Sequence, residues 1–194
     1  TPIASIGECD PLHITKLAEV GVMGFVVAHT ITESDALRAV DAAKYPPTGR
    51  RGAAPTVRQM GYPPSAANWA AAADGINREI VIIGKVEDEE ALDNLDAVLS
   101  TPIDGLMGGS FDLSISISRN LKIPEAHGNV FHPKVLEVRD LVYTKCKEYG
   151  KFGMAVLEQL QENGKTPSEA VGKWVSRGVL AYVLGHEFGV LDDW

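Results

Sequence analysis

Glu87 and Asp112 are the two residues of this sequence best placed to do chemistry. Glu87 follows the apolar run Ile80–Val86, and Asp112 follows Ile103-Asp104-Gly105-Leu106-Met107 and a glycine-rich turn, so each stands just past the C-terminal end of a short β-rich run. In parallel α/β folds these strand ends converge on the active site. Two carboxylates on consecutive strand-helix units can share one hard cation. Mg²⁺ or Mn²⁺ suits oxygen ligands and keeps several waters, which leaves room for a chelating substrate, with Co²⁺ a further candidate. The plain alternative is that an acidic residue opens a helix for dipole reasons. His29 ends the run Gly24–Ala28 in the same way and could orient substrate or exchange protons, or simply hydrogen-bond within its loop. His127 and His132 flank a loop, with His132-Pro133 a helix entry, and His13 falls inside a helical pattern as a structural residue. His186 and Glu187 end the last strand, but no His-x-x-x-His spacing suggests a zinc helix.

The elements that would carry these residues alternate along the chain. Strands are expected at Ile3–Ile6, Gly24–Ala28, Ile80–Val86, Asp104–Met107, Gly153–Leu157 and Val179–Gly185. Helical spacing marks Pro11–Val20, Thr32–Ala43, Glu90–Leu99 and Pro133–Tyr149, and Thr166-Pro167-Ser168-Glu169 marks a helix start. Gly21, Gly150 and Gly178 each fall between a helix and a strand, where a left-handed cap is wanted. Strands that are apolar throughout point to burial on both faces and a parallel sheet. Six such units in 194 residues average about 32 residues each, whereas an eight-unit barrel takes about 250. Periodicity therefore leaves two architectures, a smaller open sheet or an α/β barrel lacking its first two units. The stretch from Tyr45 to about Asn68 is rich in Pro, Gly and Arg and is expected to be irregular. Its Arg50-Arg51 pair could bind an anion or lie on the surface.

Composition excludes other classes. With 194 residues and 45% hydrophobic content the chain can bury one domain, spanning residues 1–194. A net charge of -8, without a basic run, argues against nucleic-acid binding. No apolar stretch approaches the roughly 20 residues needed to cross a bilayer. Cys9 and Cys146 have no Cys-x-x-Cys partner and are expected to be reduced thiols. With a start, Thr1-Pro2-Ile3-Ala4, that lacks a signal-peptide shape, the expectation is a soluble cytoplasmic protein. No Walker sequence, Gly-x-Ser-x-Gly or Gly-x-Gly-x-x-Gly follows a strand, and the turn Gly105–Ser110 has no phosphate-loop lysine, so nucleotide binding is unsupported.

Three segments carry a specific resemblance. Val86-Glu87-Asp88-Glu89-Glu90-Ala91-Leu92-Asp93-Asn94-Leu95-Asp96, Asp104-Gly105-Leu106-Met107-Gly108-Gly109-Ser110-Phe111-Asp112-Leu113-Ser114 and Tyr45-Pro46-Pro47-Thr48-Gly49-Arg50-Arg51-Gly52 resemble motifs of the HpcH/HpaI aldolase and citrate lyase family. The similarity runs from about Ile3 to Asp192. It implies a (β/α)8 TIM barrel, here without its first two βα units. It also implies a metal-dependent pyruvate aldolase that makes or cleaves C–C bonds in 2-oxo acids, exchanging pyruvate and an aldehyde through a metal-stabilised enolate. By resemblance Glu87 and Asp112 are the metal ligands, and backbone N–H groups at Phe111 and Asp112 meet the substrate carboxylate. Hexamers that exchange the last helix would put residues 186–194 at an interface. Two departures stand out. Ser5 occupies the place of the family's substrate arginine, and Lys85 that of a glutamine two residues before the metal glutamate. The family's histidine base belongs to the absent first units. Lys85 is then a catalytic and substrate-binding candidate, a point charge without arginine's fork. Three readings remain: a fragment of an ordinary aldolase, a diverged lyase or oxaloacetate-type decarboxylase, and a non-catalytic member that keeps the metal site and binds partner subunits.

Overall fold

A computed structural model describes residues 1–62, 65–156 and 167–184. The chain divides into two compact units, one made of residues 1–85 and 93–104, the other of residues 86–92 and 105–194.

In the first unit, β1 (Ile3–Ile6), β2 (Gly24–Val27) and β3 (Val81–Val86, whose last residue passes to the second unit) pair in parallel, with Ile3 opposite Gly24 and Gly24 opposite Val81. Their connections are helical because the sequence supplies both caps and apolar stripes. α1 (Pro11–Glu19) starts at Asp10, whose Oδ1 accepts from the Leu12 N–H at 2.8 Å, and buries Ile14 and Ala18 one turn apart. α2 (Glu33–Ala43) has a reciprocal capping box: the Asp35 N–H donates to Thr32 Oγ1 and the Thr32 N–H to Asp35 Oδ2 at 2.8 Å. Its inner face is Ala36, Ala39, Val40 and Ala43. After α2 the buried Lys44 reaches Asp104 at 3.1 Å, and Asp104 Oδ2 also accepts the Ile82 N–H at 2.7 Å. One carboxylate thus joins the end of α2, β3 and the segment that leaves α4 (Leu95–Leu99).

The motif Tyr45–Gly52 is packed rather than presented. A Cβ at Gly49 would lie 2.6 Å from the Val40 carbonyl oxygen and closer still to that of Lys44. Arg50 is exposed and pairs with Asp41. Arg51 corrects the expectation of a surface or anion-binding pair: it is 3% exposed, donates to Gln59 and the Ala43 carbonyl, and stacks 4.5 Å over the Tyr45 ring. Burial lowers its guanidinium below the usual arginine range. The irregular stretch is also shorter than expected, because α3 (Ala66–Glu79) begins at the Ser65 cap. Its alanine-rich sequence offers little apolar contrast, so periodicity does not mark it.

The second unit contains β4 (Gly105–Gly108), α5 (Ser110–Asn120), α6 (Pro133–Glu148), β5 (Phe152–Val156), α7 (Pro167–Ser176) and β6 (Val179–Val183). β4, β5 and β6 are again parallel, with Gly105 opposite Phe152 and Met154 opposite Ala181. Leu113, Ile117, Ala126, Val135 and Val138 form a buried cluster on which Leu92 and Ile123 pack. Periodicity does not mark α5 either, because Leu113-Ser114-Ile115-Ser116-Ile117 alternates as a strand would. Ser110, Leu113, Ser114 and Ile117 are nonetheless buried at helical spacing. Expected Glu90–Leu99 is a 3₁₀ turn (Glu89–Asn94) followed by the short α4. Gly21, Gly150 and Gly178 have φ of 108°, 66° and 89°, the left-handed caps expected of them. Leu157, Thr166 and residues 185–194, with His186 and Glu187, lie outside the described residues.

Asp104 and Cys146 each offer a stability test. Asp104→Ala should cost about 3 kcal/mol, since it leaves Lys44 buried without its partner, and Asp104→Asn should cost less because it keeps an acceptor for Ile82; urea unfolding of the full chain measures both. Burial pushes the Cys146 thiol up to about 11 and the Tyr143 hydroxyl above its ordinary range. Protonated forms are favoured in the fold, so their stabilisation is complete below the unfolded thiol's 9.0 and is lost as pH rises towards 11. A decrease on the order of 2 kcal/mol between pH 8 and 11 is expected, and Cys146→Ala should flatten the early part of that decline.

Candidate metal centre

Glu87 is the first residue past β3 and is 3% exposed. A carboxylate is rarely buried this far unless it is hydrogen-bonded, paired or coordinating. Its Oε2 is a buried acceptor that receives no hydrogen bond, while the residue is held by other polar contacts. The Gly109 N–H donates to the Val86 carbonyl at 2.8 Å, so the backbone just before Glu87 is bonded to the residue that starts α5. Asp112 is the acidic residue of the first turn of α5. Further along, the Glu89 N–H donates to Ser116 Oγ at 2.9 Å and Asn120 Nδ2 donates to Glu90 at 2.8 Å. The segment 87–92 therefore lies along α5, with Leu92 in the same apolar cluster as Leu113 and Ile117.

The start of α5 differs from those of α1, α2, α3 and α6. α1, α2, α3 and α6 are each capped by a side chain, from Asp10, Thr32, Ser65 and His132. α5 starts from Gly109 with no side-chain cap. Leading N–H groups of a helix, with the positive end of its dipole, suit a carboxylate or phosphate. Two carboxylates, if brought together, would suit a hard oxygen-ligated cation. Among the described residues no group of three or more His, Cys, Asp or Glu side chains is set to hold a metal ion.

Ser5, His29 and Lys85 belong to the first unit, whereas Glu87, Phe111 and Asp112 belong to the second. Ser5 is exposed on β1 and Lys85 is half-buried on β3, with its carbonyl accepting from the Thr30 N–H at 3.3 Å. His29 is exposed with φ of 49°, a left-handed conformation uncommon for a residue with a side chain. It lines a polar cleft of about 370 Å³ past β1 and β2, together with Glu8, Cys9, Asp10, Asp35 and Arg38. Arg38 spends one N–H on the Cys9 carbonyl at 2.7 Å, and burial raises the Cys9 thiol. Sequence reasoning passes over Arg38 and Ser116. Arg38 sits in a helical pattern like any surface cation, and Ser116 matters only through a partner 27 residues away.

No described helix is long and apolar enough to cross a membrane. A 5-keto-4-deoxy-D-glucarate aldolase of Citrobacter koseri is 28% identical over 151 residues, 77% of this chain and 54% of the relative. The chain thus spans about half the length of the curated relatives it matches. An HpcH/HpaI aldolase of Desulfitobacterium hafniense superposes with a TM-score of 0.80 at 24% identity, over 98% of this chain and 68% of the other. An HpcH/HpaI aldolase/citrate lyase family protein of Burkholderia cenocepacia superposes with 0.78 at 21% identity, over 99% and 69%. At these identities the superpositions establish a shared α/β fold. The family model described as HpcH/HpaI aldolase/citrate lyase matches residues 5–175, and the chain belongs to that family.

Proposed function

We propose that this chain carries the metal-binding part of a divalent-metal-dependent carbon-carbon lyase acting on a 2-oxo acid. The observation that carries the reading is the burial of Glu87 at a strand end bonded, through Val86 and Gly109, to the turn that opens the helix of Asp112. Membership of an aldolase and lyase family supports the reaction class. Glu87 and Asp112 would hold Mg²⁺, Mn²⁺ or Co²⁺. Bound there, the ion would act as a Lewis acid on the 2-oxo carbonyl.

The chain's own groups do the rest. The uncapped first turn of α5, at Phe111 and Asp112, takes the substrate carboxylate. Lys85, close in sequence to the metal glutamate, adds a positive charge beside developing oxyanion character, without the two-pronged grip of the arginine that Ser5 replaces. In the cleavage of a 4-hydroxy-2-oxo acid the C3–C4 bond breaks as the 4-hydroxyl loses its proton, the aldehyde leaves, and C3 gains a proton to give pyruvate. His29 is our candidate for moving that proton. A single domain over residues 1–194 built as a (β/α)8 barrel without its first two βα units, a homo-hexamer and a cytoplasmic location complete this reading by family resemblance. Ser5 and Lys85 favour a second one, in which the same metal pair serves a decarboxylase or a non-catalytic subunit.

Calorimetry separates the metal site from the reaction. Mn²⁺ should bind the wild type, and Glu87→Gln with Asp112→Asn should abolish the heat signal; an unchanged isotherm would place the site elsewhere. Ser116→Ala, which unties Glu89 from α5, should weaken Mn²⁺ binding several-fold while the fold persists. With Mn²⁺ or Mg²⁺ present, pyruvate should be released from a 4-hydroxy-2-oxo acid or from oxaloacetate. A folded, metal-loaded chain that turns over neither would overturn the lyase reading.

A further inference from the structure

We propose that the cleft between the C-terminal ends of α6 and α7 is a second ligand site, one that takes a small sugar phosphate. The inference goes beyond the lyase reading and does not rest on it. The cleft has a volume of about 370 Å³ and is lined by Asp140, Tyr143, Thr144 and Lys147 of α6, with Ser176 and Arg177 where α7 ends. All six lie in the second unit. Gly178, next to Arg177, leads into β6, and its carbonyl accepts the Gly153 N–H of β5 at 2.8 Å. The cleft thus adjoins the strand starts of this unit, whereas Asp112 follows a strand end.

Two cations are held in place on its walls. Lys147 is exposed, yet its Nζ donates to the Ser176 carbonyl at 3.0 Å. Its stem packs on the turn after α7, where a Cβ at Gly178 would lie 3.4 Å from Lys147 Cβ. Arg177 Nη1 donates to Asp140 Oδ2 at 3.2 Å, and its guanidinium lies 4.9 Å from the centre of the buried Trp174 ring. A stacked, ion-paired guanidinium and a tethered ammonium lose less freedom on binding than loose surface side chains do. Each also keeps donors to spare. An ammonium has three N–H and a guanidinium five, and the contacts above use one of each. Asp140 is the one acid among the described lining residues, and its Oδ1 also lies 3.2 Å from Arg139 Nη2, so one carboxylate serves two guanidiniums. The cleft therefore gathers positive charge in a chain whose net charge is -8.

The neutral polar groups call for the opposite kind of partner. Thr144 Oγ1 donates to the Asp140 carbonyl at 2.8 Å and Ser176 Oγ to the Lys173 carbonyl at 2.6 Å. Both hydroxyl protons are thus used within the helices, and both oxygens remain acceptors. The Tyr143 hydroxyl donates to the Met154 carbonyl at 3.0 Å and is spent in the same way. A ligand that matches this wall has an anionic group for Lys147 and Arg177 and hydroxyl donors for Thr144 and Ser176. A phosphate monoester suits the two cations, since it brings close to two negative charges and three acceptor oxygens. Sugar hydroxyls supply the donors, and the volume lies within the range of ordinary small-molecule sites, which begins at about 300 Å³.

Calorimetry on the full chain, without added metal and at constant ionic strength, tests the site with glucose 6-phosphate, inorganic phosphate and gluconate. Glucose 6-phosphate should bind with a Kd of about 1 mM or below, roughly tenfold tighter than either of the other two. Lys147→Gln changes an exposed side chain, so the fold persists, and it should weaken glucose 6-phosphate about tenfold. Arg177→Gln should act likewise, whereas Arg177→Lys, which keeps a cation beside Trp174, should retain most of the affinity. Thr144→Val should bring glucose 6-phosphate close to inorganic phosphate. Glu87→Gln with Asp112→Asn should leave its binding as in the wild type; loss there would move the phosphate to the metal centre and overturn the proposal. No saturable heat with glucose 6-phosphate, an affinity unchanged in Lys147→Gln, or gluconate or inorganic phosphate binding equally tightly would also overturn it. None of these outcomes depends on turnover, so the lyase reading stands or falls separately.

Discussion

The hydrogen bond from the Gly109 N–H to the Val86 carbonyl governs the candidate site. It is a single backbone contact at 2.8 Å, and the residues beyond each partner depend on it. Past Val86 the chain must place Glu87, and past Gly109 it must start a helix that reaches Asp112 three residues later. That bond fixes where both segments begin, one leading into Glu87 and the other into the first turn that carries Asp112. Ser116 and Asn120 then extend the same join down the helix, so the segment after β3 is tied at several points.

A second motif of the family is architectural. Tyr45, Gly49 and Arg51 have the composition of a ligand loop, with a flexible residue, a cation and an aromatic ring. In the fold, Gly49 is small because two carbonyl oxygens leave no space for a Cβ, and Arg51 is turned inward onto Tyr45. The Lys44–Asp104 pair lies in the same unit. A buried guanidinium is costly, and stacking on the Tyr45 ring, the bonds to Gln59 and Ala43 and the charge of Glu19 offset part of its desolvation.

The departures from the family pattern concentrate on the first unit. Ser5 and Lys85 lie there, whereas Glu87, Asp112 and the uncapped turn before Asp112 lie in the second. His29, in the first unit, combines a left-handed backbone with a place on the polar cleft. Strain of this kind persists only where the surroundings enforce it.

By itself the sequence determined the alternation of strands and helices, the left-handed caps at Gly21, Gly150 and Gly178, the family, and the two carboxylates past strand ends. Those signals are local: a cap residue, a period, or a motif that survives as contiguous text. Tertiary structure alone decided the rest. Residues 113–117 alternate like a strand yet form a helix, because packing on Val135 and Val138 favours one buried face over the local preference of Ser and Ile. Arg51 went inward for a similar reason, since no local signal distinguishes it from its exposed neighbour Arg50. The tie between Glu89 and Ser116 spans 27 residues, and a contact of that separation exists only once the chain has folded. Local rules name the residues that could do chemistry, and long-range packing decides which of them meet.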